Sequence, residues 1–89
     1  MKIKNGFVVE KVGAKYLAVA VGERADEFNA LIRMNETGVF LWNKLSESDL
    51  TEKQLLDALL GEYDVDVERA TTDVSAFLFK LRESGLLDE

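Results

Sequence analysis

The sequence predicts an α+β fold: a three-stranded antiparallel sheet, then three helices, around one core. Two observations predict it. Residues 7–34 hold short runs rich in valine and aromatics, broken by glycine and polar residues. Everything after Met34 instead carries apolar residues at three- and four-residue spacing, with helix-capping residues between the runs. Strands grouped ahead of helices make an α+β domain, whereas a parallel α/β sheet would alternate them.

The strands come first. "FVVEKV", Phe7 to Val12, and "KYLAVAV", Lys15 to Val21, have strand composition. Gly13-Ala14 between them suits a two-residue hairpin turn, with Gly13 taking a positive φ. "GERADEFN", Gly22 to Asn29, reads as a loop, and "ALIRM", Ala30 to Met34, as a short third strand.

The first helix begins at Asn35, a good N-cap, with Glu36 in the first turn on the side the helix dipole favours. Met34 before the cap and Val39 inside it have hydrophobic-staple spacing. Leu41, Trp42 and Leu45 should face inward. The second helix starts at Thr51, which with Gln54 spells a capping box flanked by the staple pair Leu50 and Leu55. Its inner face is Leu55, Leu56, Leu59, Leu60 and Tyr63. The third begins after Asp66 and carries the stripe Val67, Ala70, Val74, Phe77, Leu78 and Leu81. Gly85 ends it, and Leu86 can fold back on Leu81 as in a Schellman motif.

Composition narrows the function classes. The 89 residues suffice for one domain, 1–89, with a modest core. No cysteine or histidine is present, which removes thiolate chemistry, the usual general base and the commonest metal ligands. No cofactor is expected. The net charge of −6 opposes a phosphate backbone and suits a basic or apolar partner. No apolar run has transmembrane length and the N-terminus lacks signal-peptide form, so the expectation is a cytoplasmic protein with no membrane partner.

Several residues have plain structural readings. Asn35 is a cap and Trp42 is core. Asp64, Asp66 and Glu68 lack the spacing of a calcium loop. Thr71 and Thr72 are helix surface, with no base near them in sequence.

Taken in order, "MNETGVFLW" (Met34–Trp42), "LTEKQLLDALLGEYDV" (Leu50–Val65) and "DVSAFLFKLRESGLL" (Asp73–Leu87) resemble the PqqD family, whose fold is shared by RiPP recognition elements. The resemblance runs from about Phe7 to Leu87. Met34 stands where the family usually has leucine, and "SESD", Ser46 to Asp49, replaces a loop that often holds glycine.

The resemblance implies a winged-helix-like domain without catalysis of its own. Members bind the leader of a ribosomally made precursor peptide and present it to a modifying enzyme, often a radical SAM enzyme. The leader adds as a strand to the edge of the third strand, beside the third helix. Carried onto this chain, the edge is Ala30, Leu31, Ile32 and Arg33. Alternation puts Ala30, Ile32 and Met34 on the inward face and Leu31 and Arg33 toward a partner. One of Leu31 and Ile32 should aim its N–H at the free edge and the other at the neighbouring strand. On the third helix, Thr71, Ser75, Leu78, Phe79 and Arg82 form a row beside the core stripe and are the candidate groove wall.

Two alternative function classes remain, a nucleic-acid regulator and an enzyme; carboxylates are present, but no histidine, cysteine or glycine-rich phosphate loop supports an enzyme. A winged-helix nucleic-acid regulator fits the topology, but its recognition helix would set Arg69, Lys80 and Arg82 beside Asp73 and Glu83, so no nucleic-acid partner is expected. An uncovered edge strand could also pair with a second copy and give a homodimer.

Overall fold

The computed structural model describes residues 1–23, 25 and 32–89. The described elements are β1 (Lys2–Ile3), β2 (Phe7–Val12), β3 (Lys15–Ala20), β4 (Ile32–Met34), α1 (Glu36–Glu47), α2 (Glu52–Glu62), α3 (Val67–Glu83) and β5 (Leu87–Asp88). β2, β3 and β4 form an antiparallel sheet in that order, followed by the three helices. The expected third strand is seen from Ile32 onward. Ala30 and Leu31, with most of the preceding loop, lie outside the described residues.

The β2–β3 hairpin turns at Gly13-Ala14. Gly13 has φ +63° and no described residue other than glycine has a positive φ. That sign pattern belongs to a type II′ turn, which matches the twist of the paired strands.

The hairpin also fixes which backbone groups of β4 are free. Val21 N–H donates to Gly6 C=O at 2.8 Å, which puts positions 6 and 21 in the hydrogen-bonded phase of the ladder. Antiparallel pairs alternate between bonded and non-bonded, so the register Phe7↔Ala20 to Val12↔Lys15 turns Leu17 toward β2, and Tyr16 and Ala18 toward β4. The partners of Tyr16 and Ala18 are Met34 and Ile32. The Ile32 N–H is therefore in the ladder. Arg33, opposite Leu17, aims its N–H and C=O at the side of β4 away from β3.

Each helix start is satisfied by its own cap. The Asn35 side chain accepts from Gly38 N–H at 2.9 Å, Thr51 and Gln54 complete a reciprocal capping box, and Asp66 accepts from Arg69 N–H at 2.7 Å. α3 ends in the Schellman pattern: Leu86 N–H donates to Leu81 C=O at 3.0 Å and Gly85 N–H to Arg82 C=O at 3.1 Å. Gly85 makes this possible with φ +73°.

One core joins the layers. Ala18, Ile32 and Met34 come from the sheet, Leu41, Trp42 and Leu45 from α1, Leu55 and Leu59 from α2, and Ala70, Val74, Phe77, Leu78 and Leu81 from α3. Val39 and Leu50, the other staple residues, pack half-buried against it. Phe7 meets Trp42 edge to face at 6.3 Å, and Phe40 meets Tyr63 at 5.5 Å. Val67 departs from the expected stripe: it is 61% exposed, at the first position of α3.

A second small sheet has no counterpart in the sequence reading. β1 pairs with β5, Lys2 opposite Asp88 and Ile3 opposite Leu87. Ile3 and Leu87 are buried, which joins both ends of the chain to the core.

Candidate functional site

β4 is three residues long and leads through Asn35 directly into α1. Ile32 and Met34 anchor it from below, at 3% and 5% exposure, while Arg33 between them is exposed. Among the described residues β4 pairs only with β3, so one edge is open. Among the described residues the outer side of β2 is also unpaired, but the cleft adjoins β4.

A cleft of about 340 Å³ lies along this edge. Arg33, Met34 and Asn35 form one wall, and Arg69, Asp73, Ala76, Phe77 and Lys80 of α3 the other. Thr37, Gly38 and Leu41 of α1 close the end. The floor is apolar, from the buried Met34, Leu41 and Phe77, and the rim is charged. Among the described residues three cations, Arg33, Arg69 and Lys80, line the cleft against one carboxylate, Asp73, in a chain of net charge −6. Asp73 lies 3.9 Å from Arg69 in an exposed pair. The Lys80 ammonium donates to the Arg33 carbonyl oxygen at 3.0 Å, bridging α3 to the outward face of β4.

The structure therefore brings Arg33 and α3 together, but through a different face of α3 from the one expected. Leu78 is fully buried and belongs to the core, so it cannot be a groove wall. Thr71, Ser75, Phe79 and Arg82 do not line the cleft. Thr71 returns its hydroxyl to Val67 C=O at 2.7 Å. Phe79 is 64% exposed, which supports the helix phase that put it off the stripe. Arg82 is held by Glu89, with Nη2 at 3.0 Å from Oε1. The hydrogen bonds from Arg82 hold the Glu89 carboxyl below the usual range and raise the guanidinium's own pKa. Ile32 contributes buried side-chain support rather than a free N–H. Ala30 and Leu31 lie outside the described residues.

The residues missed are Arg69, Asp73, Ala76 and Lys80. Their signal was available as spacing: 69, 73, 76, 77 and 80 follow one helical row. The row flanks the core stripe on the side opposite to Thr71 and Phe79. Periodicity identifies the buried stripe but not which flank a strand will face.

Among the described residues, no group of three or more acidic, histidine or cysteine side chains is placed to hold a metal. No helix among them is long and apolar enough to cross a membrane.

The fold and site define a small α+β domain with an open strand edge beside a helix-walled cleft. The chain belongs to the PqqD family, described as Coenzyme PQQ synthesis protein D, which it matches over residues 9–87. Two solved structures are similar in fold. One, TbiB1 in complex with the TbiA(beta) leader peptide, has a TM-score of 0.71 and 23% identity, covering 99% of this chain and 95% of that one. The other, lasso peptide synthetase B1 complexed with the leader peptide, has a TM-score of 0.66 and 18% identity, covering 96% and 93%. No curated protein sequence matches.

Proposed function

We propose that this protein is a non-catalytic adaptor that binds the leader of a ribosomally made precursor peptide. The leader adds to β4 as a fourth strand and its side chains enter the cleft beside α3. The observation that carries the reading is Arg33. Its N–H and C=O face outward from β4, directly beside a cleft with an apolar floor. Strand addition needs both parts, since the backbone supplies affinity and the pockets supply selectivity. Family membership and the two leader-bound structural neighbours support the same reading. The partner that receives the peptide is a modifying enzyme, with a radical SAM enzyme as the family's usual choice. The nucleic-acid alternative is weaker, because Arg69 and Arg82 each already face a carboxylate.

The test is a titration of ¹⁵N-labelled protein with the N-terminal segments of short reading frames encoded beside its gene. One segment should shift the amides of Arg33, Asp73 and Lys80 most. Shifts confined to the outer side of β2, or none with any segment, would overturn the proposal.

A further inference from the structure

Lys80 occupies the acceptor that an incoming strand must use. Its ammonium lies 3.0 Å from the Arg33 carbonyl oxygen, on the outward edge of β4. Lysine at a sheet edge discourages unwanted pairing. A hydrogen bond between exposed groups is weak enough to be exchanged. When a peptide N–H takes that oxygen, the ammonium is released but stays tethered to α3 at the cleft rim. Among the described residues its neighbours there are the cations Arg33 and Arg69 and one carboxylate, Asp73, which lies 3.9 Å from Arg69. Water can solvate the released ammonium, but among the described residues the rim carries three cations against one carboxylate, so an acidic side chain on the docked peptide is the partner that complements its charge. The chain's −6 charge repels a strongly acidic peptide at long range, so the requirement is one placed carboxylate and not an acidic run.

Resting on the docking reading above, we propose that the docked peptide carries Asp or Glu at, or one residue from, the position whose N–H bonds Arg33. Lys80 is then both the guard of the free edge and the reader of that carboxylate. Non-acidic strands, including the same edge of a second copy, dislodge Lys80 without replacing its partner.

The test uses a phage-displayed library of random decapeptides, selected separately against the full chain, Lys80→Met and Arg33→Pro. Lys80 is exposed, so Lys80→Met should fold, which a thermal melt checks. Peptides selected on the parent should share one acidic position. A synthetic Glu→Gln version of such a peptide should bind the parent roughly two- to fivefold more weakly, the effect of an exposed ion pair. Lys80→Met should bind both versions equally. If parent-selected peptides share no acidic position, or if the Glu→Gln penalty persists in Lys80→Met, Lys80 is not the reader. The docking reading survives that outcome provided Arg33→Pro loses the same peptides. If Arg33→Pro selects them equally well, or the parent selects none, the docking reading fails and the Lys80 proposal fails with it.

Discussion

Proline at adjacent positions of β4 should separate folding from docking. The Arg33 N–H points away from β3, so Arg33→Pro removes no native ladder bond. The residue before it, Ile32, is already in a strand, as a pre-proline residue prefers. Arg33→Pro should therefore cost less than ~1 kcal/mol of stability, as edge prolines are tolerated. It deletes a docking hydrogen bond worth about 0.5–1.5 kcal/mol, which is roughly two- to twelvefold in affinity, and its ring also obstructs the incoming strand. Arg33→Ala, which keeps the N–H, controls for the lost charge. Ile32→Pro is the contrast. It removes a ladder bond to Ala18 and a side chain that is 3% exposed. Truncating a buried isoleucine alone costs ~2–5 kcal/mol, so Ile32→Pro should lose at least ~3 kcal/mol. Urea melts followed by circular dichroism give the stabilities. Fluorescence anisotropy with a peptide selected on the parent gives the affinities. Equal destabilisation by the two prolines would refute the backbone phase assigned to β4. Binding to Arg33→Pro as tight as to Arg33→Ala would refute strand addition at this edge.

Three further outcomes test the packing around the site. An added Cβ at Gly38 would lie 3.0 Å from Met34 Cβ and 3.4 Å from its Cγ; Gly38→Ala gains up to ~1 kcal/mol of helix propensity, but forcing a buried neighbour aside costs ~1–3 kcal/mol. A net loss near 1 kcal/mol is expected in a urea melt, and a more stable variant would show that Met34 yields freely. Gly85→Ala should lose ~1–2 kcal/mol, the cost of a left-handed conformation for an L-residue, and an unchanged melting temperature would mean that the Schellman turn is not required. Phe79→Ala should change stability by less than ~1 kcal/mol and leave selected peptides bound as before, because Phe79 is exposed and off the cleft; a loss above ~3 kcal/mol would place it in the core.

The local grammar of the chain was readable because its signals act over three or four residues. Asn35, Thr51, Asp66 and Gly85 each complete a hydrogen bond with a near neighbour in sequence. The buried stripe from Ala70 to Leu81 follows from helical period alone. What periodicity could not supply was the side of α3 that meets β4. A helix stripe has two flanks, and the handedness of packing decides between them. Arg69, Asp73 and Lys80 look like ordinary solvated charges in sequence, whereas Phe79 draws attention because it is large and apolar. The chemistry of the cleft rim comes from the less conspicuous flank. The β1–β5 pair was hidden for another reason: two-residue strands carry no period, and their partners lie at opposite ends of the chain.

That terminal pair has a kinetic consequence. Closing Ile3 onto Leu87 in an otherwise unfolded chain costs roughly 3 kcal/mol more entropy than closing the β2–β3 hairpin, by the logarithmic growth of loop-closure cost. Ordering the helices first shortens the effective loop, so β1 and β5 should join late and part early. Native-state hydrogen exchange should then report an opening in which the Lys4 amide, bonded to Leu86 C=O at 2.9 Å, is released while the Ile32 amide remains protected. The β4 edge and the clasp of the chain ends would thus belong to different cooperative units, and the clasp could loosen without dismantling the edge.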